Sequence, residues 1–574
     1  MRFGRLTLAF ALLGAPLAAV PATPAETRMT DADAQHLWLE EVEGERALAW
    51  VRDQNARSLA ELQADPRFAR FEAEARRVLE SQDRIADPVL MGGSVYNFWQ
   101  DATHVRGLLR RSDWASYAAG APQWETVLDV DALARDEDRN WVTGMPQCLP
   151  PAYRRCLVSL SNGGKDASTV REFDLVAKRF VPDGFVLPEA KSGVEWRDAD
   201  TLVVATDWGA DTLTESGYPY VVKLWRRGEL LAQAAELFRG ERRDVGVFPA
   251  TFHDPQSKTP VVAIIRAITF FESSVHVLDG ERLVRLPLPP RATVQGVWHG
   301  ELVASLEQDW SVAGRTYASG AVVSFPLAEF LRSGRSQVRV VYEPGPREAF
   351  QAFRGAKSVA YVVASGNVVA RAYRYALREG RWVRLGAVEL PERVQVNAGN
   401  VAFDDDRAFF YAEGFLTPRS LWVADADGAA RRLDDMPTWF DASRHAVEQF
   451  EATSKDGTKV PYFVVRPKDR PLDGAAPTLL YAYGGFQVSM TPSYSGTLGK
   501  LWLEDGGTYV LANIRGGGEF GPAWHQAGLK TKRQVVYDDF IAVAEDLIAR
   551  QITRPRRLGI MGGSNGGLLM GVML

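Results

Sequence analysis

The chain has 574 residues, 46% hydrophobic and 24% charged, with a formal net charge of −5 at pH 7. That composition is an ordinary globular one, and the length calls for about three to four units rather than one core. Without a basic excess, nucleic acid is not an expected partner.

At the N-terminus, Arg2 and Arg5 precede an apolar run from Leu6 to Val20, interrupted by Gly14 and Pro16. The run is short for a bilayer span and fits a secretory signal peptide over residues 1–25, cleaved near Ala22 or Ala25. An uncleaved anchor is the alternative, and no Cys follows for lipid attachment. A secreted or periplasmic protein with no stable membrane anchor after cleavage is therefore expected.

Residues 26–84 read as a helical arm. In "GERALAWVRDQNARSLAELQADP", Leu48, Val51, Asn55, Leu59 and Leu62 fall at helical spacing, and Pro66 closes the segment. Its apolar face needs a partner surface, assigned here to the last domain, with the edge of the β region as the alternative.

Residues 85–445 are mostly β, with short Val, Tyr, Phe and Trp runs between Gly, Asp and Pro turns. One apolar position from each similar hairpin phrase gives Phe173, Leu224, Val277, Phe325, Tyr375 and Leu421, spaced by 51, 53, 48, 50 and 46 residues. An earlier match at Leu108 lies 65 residues before Phe173, the excess being assigned to an insertion that carries both cysteines. A β period near 50 marks the blades of a propeller, and seven copies mark seven blades; the alternative is an irregular run of hairpins. The two cysteines, Cys148 and Cys156 in "QCLPPAYRRC", would close a small disulfide loop in an oxidising compartment, or remain two free thiols. No His or further Cys stands at metal-ligand spacing, so neither metal nor cofactor is expected.

From residue 446 the texture becomes α/β. "FEATSKDGTKVPYFVVRP" is a hairpin turning at Asp456-Gly457. "PTLLYAYGG" and "GTYVLANIRGGG" look like buried parallel strands ending in glycine, and "YDDFIAVAEDLIAR" is a helix with Phe540, Val543, Ala544, Leu547 and Ile548 on one face. Gly516-x-Gly518-x-x-Gly521 nominally satisfies a dinucleotide fingerprint, but Pro522, Ala523 and Trp524 follow where a pyrophosphate-holding helix should start, so nucleotide binding is set aside. "RRLGIMGGSNGG" is more specific. A strand drops into Gly562-x-Ser564-x-Gly566 and then an apolar helix, the way a nucleophilic serine is mounted on a sharp turn, with the N–H of Asn565 offered to an oxyanion.

"YAYGGF" (481–486), "NIRGGGEFGPAWHQAG" (513–528), "YDDF" (537–540) and "GGSNGG" (562–567), with "WLEEVEGERALAWVRDQN" near the N-terminus, closely resemble the prolyl oligopeptidase family of serine peptidases. The related oligopeptidase B group resembles the chain less in the first and last of the C-terminal motifs. The resemblance implies a multidomain fold: a seven-bladed β-propeller capping an α/β-hydrolase domain, with an N-terminal helical arm. It also implies cleavage of oligopeptides, typically after proline. Carried over by motif, Ser564 is the nucleophile, Tyr483 and Asn565 form the oxyanion hole, and Phe486 lines the pocket for the residue before the scissile bond.

One departure matters. In α/β-hydrolases the acid and then the base follow the serine, yet His36, His104, His253, His276, His299, His445 and His525 all precede Ser564, which only ten residues follow. His525, in the "WHQAG" motif, is read as structural. The expectation is a fragment that lacks the triad Asp and His and is inactive and self-associating alone, from an enzyme monomeric when complete. The competing reading is a non-catalytic propeller scaffold or pseudoenzyme that binds peptides or protein partners.

Overall fold

The computed structural model describes residues 35–257 and 259–574. The signal-peptide segment Arg2–Ala25 lies outside the described residues. The chain divides into two compact units, Met1–Ala73 and Glu74–Leu574. In the first, the helix Glu45–Gln63 starts after Gly44, and Arg46 lies 4.1 Å from the ring of Trp38, which stands edge-on to Trp50. A turn at Pro66 ends it, and a second helix, Phe68–Leu79, begins almost at once.

Seven antiparallel sheets, each built on four main strands, follow one another from Val89 to Asp435. Each of Leu108, Phe173, Leu224, Val277, Phe325, Tyr375 and Leu421 falls in the third main strand of its own sheet, which is why the period was visible in sequence. Each blade has apolar residues on both faces and buries them against its neighbours. Thus Leu109 of the first blade packs with Val158 and Phe173 of the second, and Tyr361 of the sixth with Phe410 of the seventh. The ring closes where Leu90 and Val95 of the first blade share a core with Phe409 and Val423 of the last. The Tyr411 hydroxyl donates to Asp87 across this same seam.

The second blade explains the long first interval. A helix, Val130–Glu137, precedes it, and its outer-to-inner path carries two short strands, Trp141–Val142 and Gln147–Cys148, both paired to Arg155–Asn162. Cys148 faces Cys156 directly across this pairing, and the two sulfurs are bonded. The expectation that one insertion carries both cysteines needs correcting: Cys156 belongs to a regular blade strand, and only Cys148 sits on the added segment.

From His445 a five-stranded mixed sheet forms, in the order His445–Thr453, Lys459–Pro467, Thr508–Ala512, Thr478–Tyr481, Leu558–Met561. The first two pairings are antiparallel and the last two parallel. The helix Gln534–Ala549 buries Val536, Phe540, Val543 and Leu547 against Val464, Leu480 and Val510 of this sheet. Pro522–Gln526 is a five-residue helix with Pro522 in its first turn, where a missing N–H costs nothing. The propeller meets the sheet through Val368 and Phe415, packed with Phe440, Phe463 and Leu511.

Candidate active site

Parallel pairing runs Thr478↔Leu558 through Tyr481↔Met561, so the turns that follow these two strands leave the sheet side by side. On the second turn, Ser564 has φ 53° and ψ −117°, a conformation that costs a non-glycine residue about 1–3 kcal/mol. It places an exposed serine directly ahead of the helix Asn565–Met573. Gly562 is needed for this geometry, since a Cβ there would stand 2.5 Å from the carbonyl oxygen of Gly566. Asn565 opens the helix, and its backbone N–H has no partner among the described residues.

On the first turn, Tyr483 is half-buried, and its hydroxyl is engaged by no group among the described residues. The two turns are in van der Waals contact: a Cβ at Gly566 would meet Tyr483 Cα at 3.7 Å, and one at Gly485 would collide with Asn565 Nδ2 at 2.4 Å. The Asn565 amide donates to Tyr483 O at 2.7 Å. Arg533 donates through Nη1 to Gly484 O at 2.8 Å and through Nη2 to Asn565 Oδ1 at 2.9 Å. Sequence reasoning missed Arg533, which stands just ahead of a helix in no motif.

The glycines of the apparent dinucleotide fingerprint serve packing. A Cβ at Gly516 would lie 2.5 Å from Gly484 O, and one at Gly518 would lie 2.2 Å from Gln487 O, so this loop presses on the backbone of the Tyr483 turn. Behind it, Arg515 donates to both carboxylate oxygens of buried Asp539, at 2.9 and 2.6 Å, and its side chain also reaches Asp456. Glu519 is buried, its Oε1 accepting from Met490 N at 2.9 Å and Asn513 Nδ2 at 3.3 Å, and desolvation pushes its carboxyl up to about 7.

Phe486 has a left-handed backbone (φ 51°), which turns its ring out to 48% exposure. The ring meets Phe270, on a loop of the fourth blade, edge-on at 5.2 Å. Phe270 stands beside Phe271, which lies 4.7 Å from the ring of His525. Gln487 and Gln526 both donate to Glu307 of the fifth blade, so propeller and sheet share one cavity at this edge. No sequence signal marked Phe270 or Glu307, because each acts through a partner more than 200 or 150 residues away.

None of the seven histidines hydrogen-bonds Ser564 among the described residues. His525 is fully buried, both ring nitrogens lack a hydrogen-bond partner among the described residues, and burial together with Arg291 and Arg533 lowers it to about 4. His104 pairs with Asp101, His253 stacks on Phe403, and His445 faces the carbonyls of Asp441 and Leu503.

A closed propeller joined to a mixed sheet that presents a strained, exposed serine turn against the glycine turn of Tyr483 is the architecture of a propeller-capped serine hydrolase. Residues 26–434 match the model of the prolyl oligopeptidase N-terminal β-propeller domain, and residues 492–574 match that of the prolyl oligopeptidase family. The uncharacterized peptidase y4nA of Sinorhizobium fredii is 45% identical over 552 residues, covering 95% of this chain and 76% of the relative. The prolyl endopeptidase of Elizabethkingia miricola is 37% identical over 171 residues, 29% of this chain and 24% of that enzyme. The structure of a post-proline cleaving enzyme from Rickettsia typhi superposes with a TM-score of 0.89 at 31% identity, over 94% of this chain and 80% of that one. The chain belongs to the prolyl oligopeptidase family of serine peptidases.

Proposed function

We propose that the protein hydrolyses short peptides on the carboxyl side of proline through an acyl-enzyme on Ser564. The observation that carries this reading is the strained Ser564 turn seated against the Tyr483 turn. Ser564 Oγ attacks the scissile carbonyl, and the negative charge on its oxygen is received by the Tyr483 hydroxyl and the Asn565 N–H. Phe486 and Phe270 offer two edge-on rings, an apolar slot suited to a pyrrolidine ring. The relatives, a prolyl endopeptidase and a post-proline cleaving enzyme, support the same specificity.

The general base is proposed to be a His, preceded by an Asp, in a part of the protein outside these residues, because none of the seven histidines hydrogen-bonds Ser564 among the described residues and the chain covers 76% of the length of the Sinorhizobium fredii relative. On this reading the 574 residues alone are inactive, since an unassisted serine keeps its proton. They also self-associate through Leu558–Met561, which is paired on one side only among the described residues. Export is proposed from the N-terminal segment, and the Cys148–Cys156 bond fits an oxidising compartment.

The test is hydrolysis of a blocked Gly-Pro chromogenic peptide by the product of the natural gene. Ser564→Ala is expected to remove about 10⁶ of the rate. Robust turnover by Ser564→Ala refutes the nucleophile, and robust turnover by the isolated 574 residues refutes the missing base.

A further inference from the structure

We propose that Arg533 is a positioning residue: its guanidinium clamps the Tyr483 turn to the serine turn and so fixes the separation of the two oxyanion donors. The inference rests on the peptidase reading for its catalytic consequence, but the clamp itself is a geometric claim.

The two donors come from chain segments 82 residues apart. Strand pairing aligns these segments only as far as Tyr481↔Met561; beyond that point both chains turn, and ladder hydrogen bonds no longer hold them in register. What bridges the turns is a three-link chain: Arg533 to Gly484 O, Arg533 to Asn565 Oδ1, and Asn565 Nδ2 to Tyr483 O. The chain defines its own orientation. A guanidinium can only donate, so Asn565 must turn Oδ1 toward it, which aims Nδ2 at the Tyr483 carbonyl. Asn565 is thereby held at both ends, and its backbone N–H is one of the two donors.

Three further features suit Arg533 to this task. It directly precedes the helix Gln534–Ala549, whose buried Val536, Phe540 and Leu547 make a rigid base. Among the described residues it forms no ion pair with a carboxylate, so its fork is left for the two oxygens. Gly484 and Gly485 leave the gap it spans, since side chains there would run into Ile514 and Asn565. A lysine could supply the charge, but as a single point it could not hold both oxygens in a fixed plane.

The test uses the enzyme expressed from its natural gene, with Arg533→Met and Arg533→Lys. Arg533→Met is expected to lower kcat by roughly 10²-fold with KM little changed, the usual effect of misplacing catalytic groups by about 1 Å. Arg533→Lys should remain roughly tenfold or more below wild type, because it keeps charge and loses the fork. Arg533→Met combined with Asn565→Ala should be about as slow as Asn565→Ala alone, because both break one clamp. Additive losses, or full activity in Arg533→Lys, would overturn the positioning role. A second arm needs no turnover: in the 574-residue chain, Arg533→Met should speed hydrogen exchange at Gly485 to Val488 while exchange in the propeller is unchanged. Unchanged exchange at that turn overturns the clamp. Faster exchange at that turn, together with failure of the wild-type enzyme from the natural gene to cleave any proline peptide, overturns the peptidase reading, and the catalytic role with it, while upholding the clamp.

Discussion

Glu519→Gln should stabilise the catalytic domain above pH 7 and change it little near pH 5. Glu519 is fully buried in the loop that backs the Tyr483 turn, and desolvation raises its carboxyl from 4.5 to about 7. Its Oε2 and the Oδ1 of neighbouring Asn513 are buried acceptors with no donor among the described residues, so a proton on Glu519 relieves a site otherwise rich in lone pairs. The folded carboxyl keeps its proton between pH 4.5 and about 7, whereas the unfolded one has released it. The unfolded state therefore binds fewer protons across that window, and stability falls as pH rises through it. At about 1.4 kcal/mol per pH unit, the loss is about 3 kcal/mol once the pH exceeds 7. Gln keeps a carbonyl oxygen for Met490 N–H and Asn513 Nδ2 and never ionises. The stability difference between variant and wild type should grow from under about 1 kcal/mol at pH 5 to about 3 kcal/mol at pH 8. Taking this difference cancels other raised acids, such as Glu195 in the propeller, which desolvation also pushes up to about 7. Urea unfolding read by hydrogen-exchange mass spectrometry separates peptides of the catalytic domain from those of the blades. A difference that is flat with pH, or a less stable variant at pH 8, refutes the reasoning.

Tyr483→Phe removes the proposed oxyanion donor without disturbing the half-buried ring, and should cost roughly 10²–10³ in kcat of the complete enzyme; unchanged single-turnover rates remove Tyr483 from that role. Asp539→Ala strips the buried Arg515 guanidinium of its bidentate partner and leaves only Asp456 and Ser454, for an expected loss of about 3–5 kcal/mol in the catalytic domain. Thermal unfolding read by exchange in 513–540 checks it, and a loss below about 1 kcal/mol would show the pair to be replaceable. Phe270→Ala removes the propeller's ring from Phe486, a contact worth about 0.5–1.5 kcal/mol, so KM for a proline peptide should rise roughly two- to tenfold with kcat near wild type. An unchanged KM would place Phe270 outside the pocket.

Much of this architecture was legible in the chain because its signals are local or periodic. A strand position recurs about every 50 residues after Phe173 because every blade must bury the same faces against neighbours of the same shape, so Phe173 and its successors repeat regardless of how the ring closes. The serine turn was legible for a similar reason: Gly562, Gly566 and the apolar helix after them are demanded by the backbone at Ser564 itself, within a few residues. The motifs of the family marked Tyr483, Phe486 and Asn565 as candidates, and the folded chain brings Tyr483 and Asn565 together.

Tertiary structure decided what stands beside what. Arg533 reaching Gly484 and Asn565, Phe270 meeting Phe486, and Glu307 receiving Gln487 and Gln526 each join segments that no spacing rule connects. Desolvation is equally non-local: Glu519 is an ordinary acid in the sequence, and burial in the folded chain pushes it up to about 7 even though the hydrogen bonds from Met490 and Asn513 pull it down. Sequence settles the conformations each stretch prefers, because those energies come from a residue and its chain neighbours. The distances that seat the Ser564 turn against the Tyr483 turn, with the Arg533 fork spanning both, come from packing between distant segments, and only the folded chain supplies them.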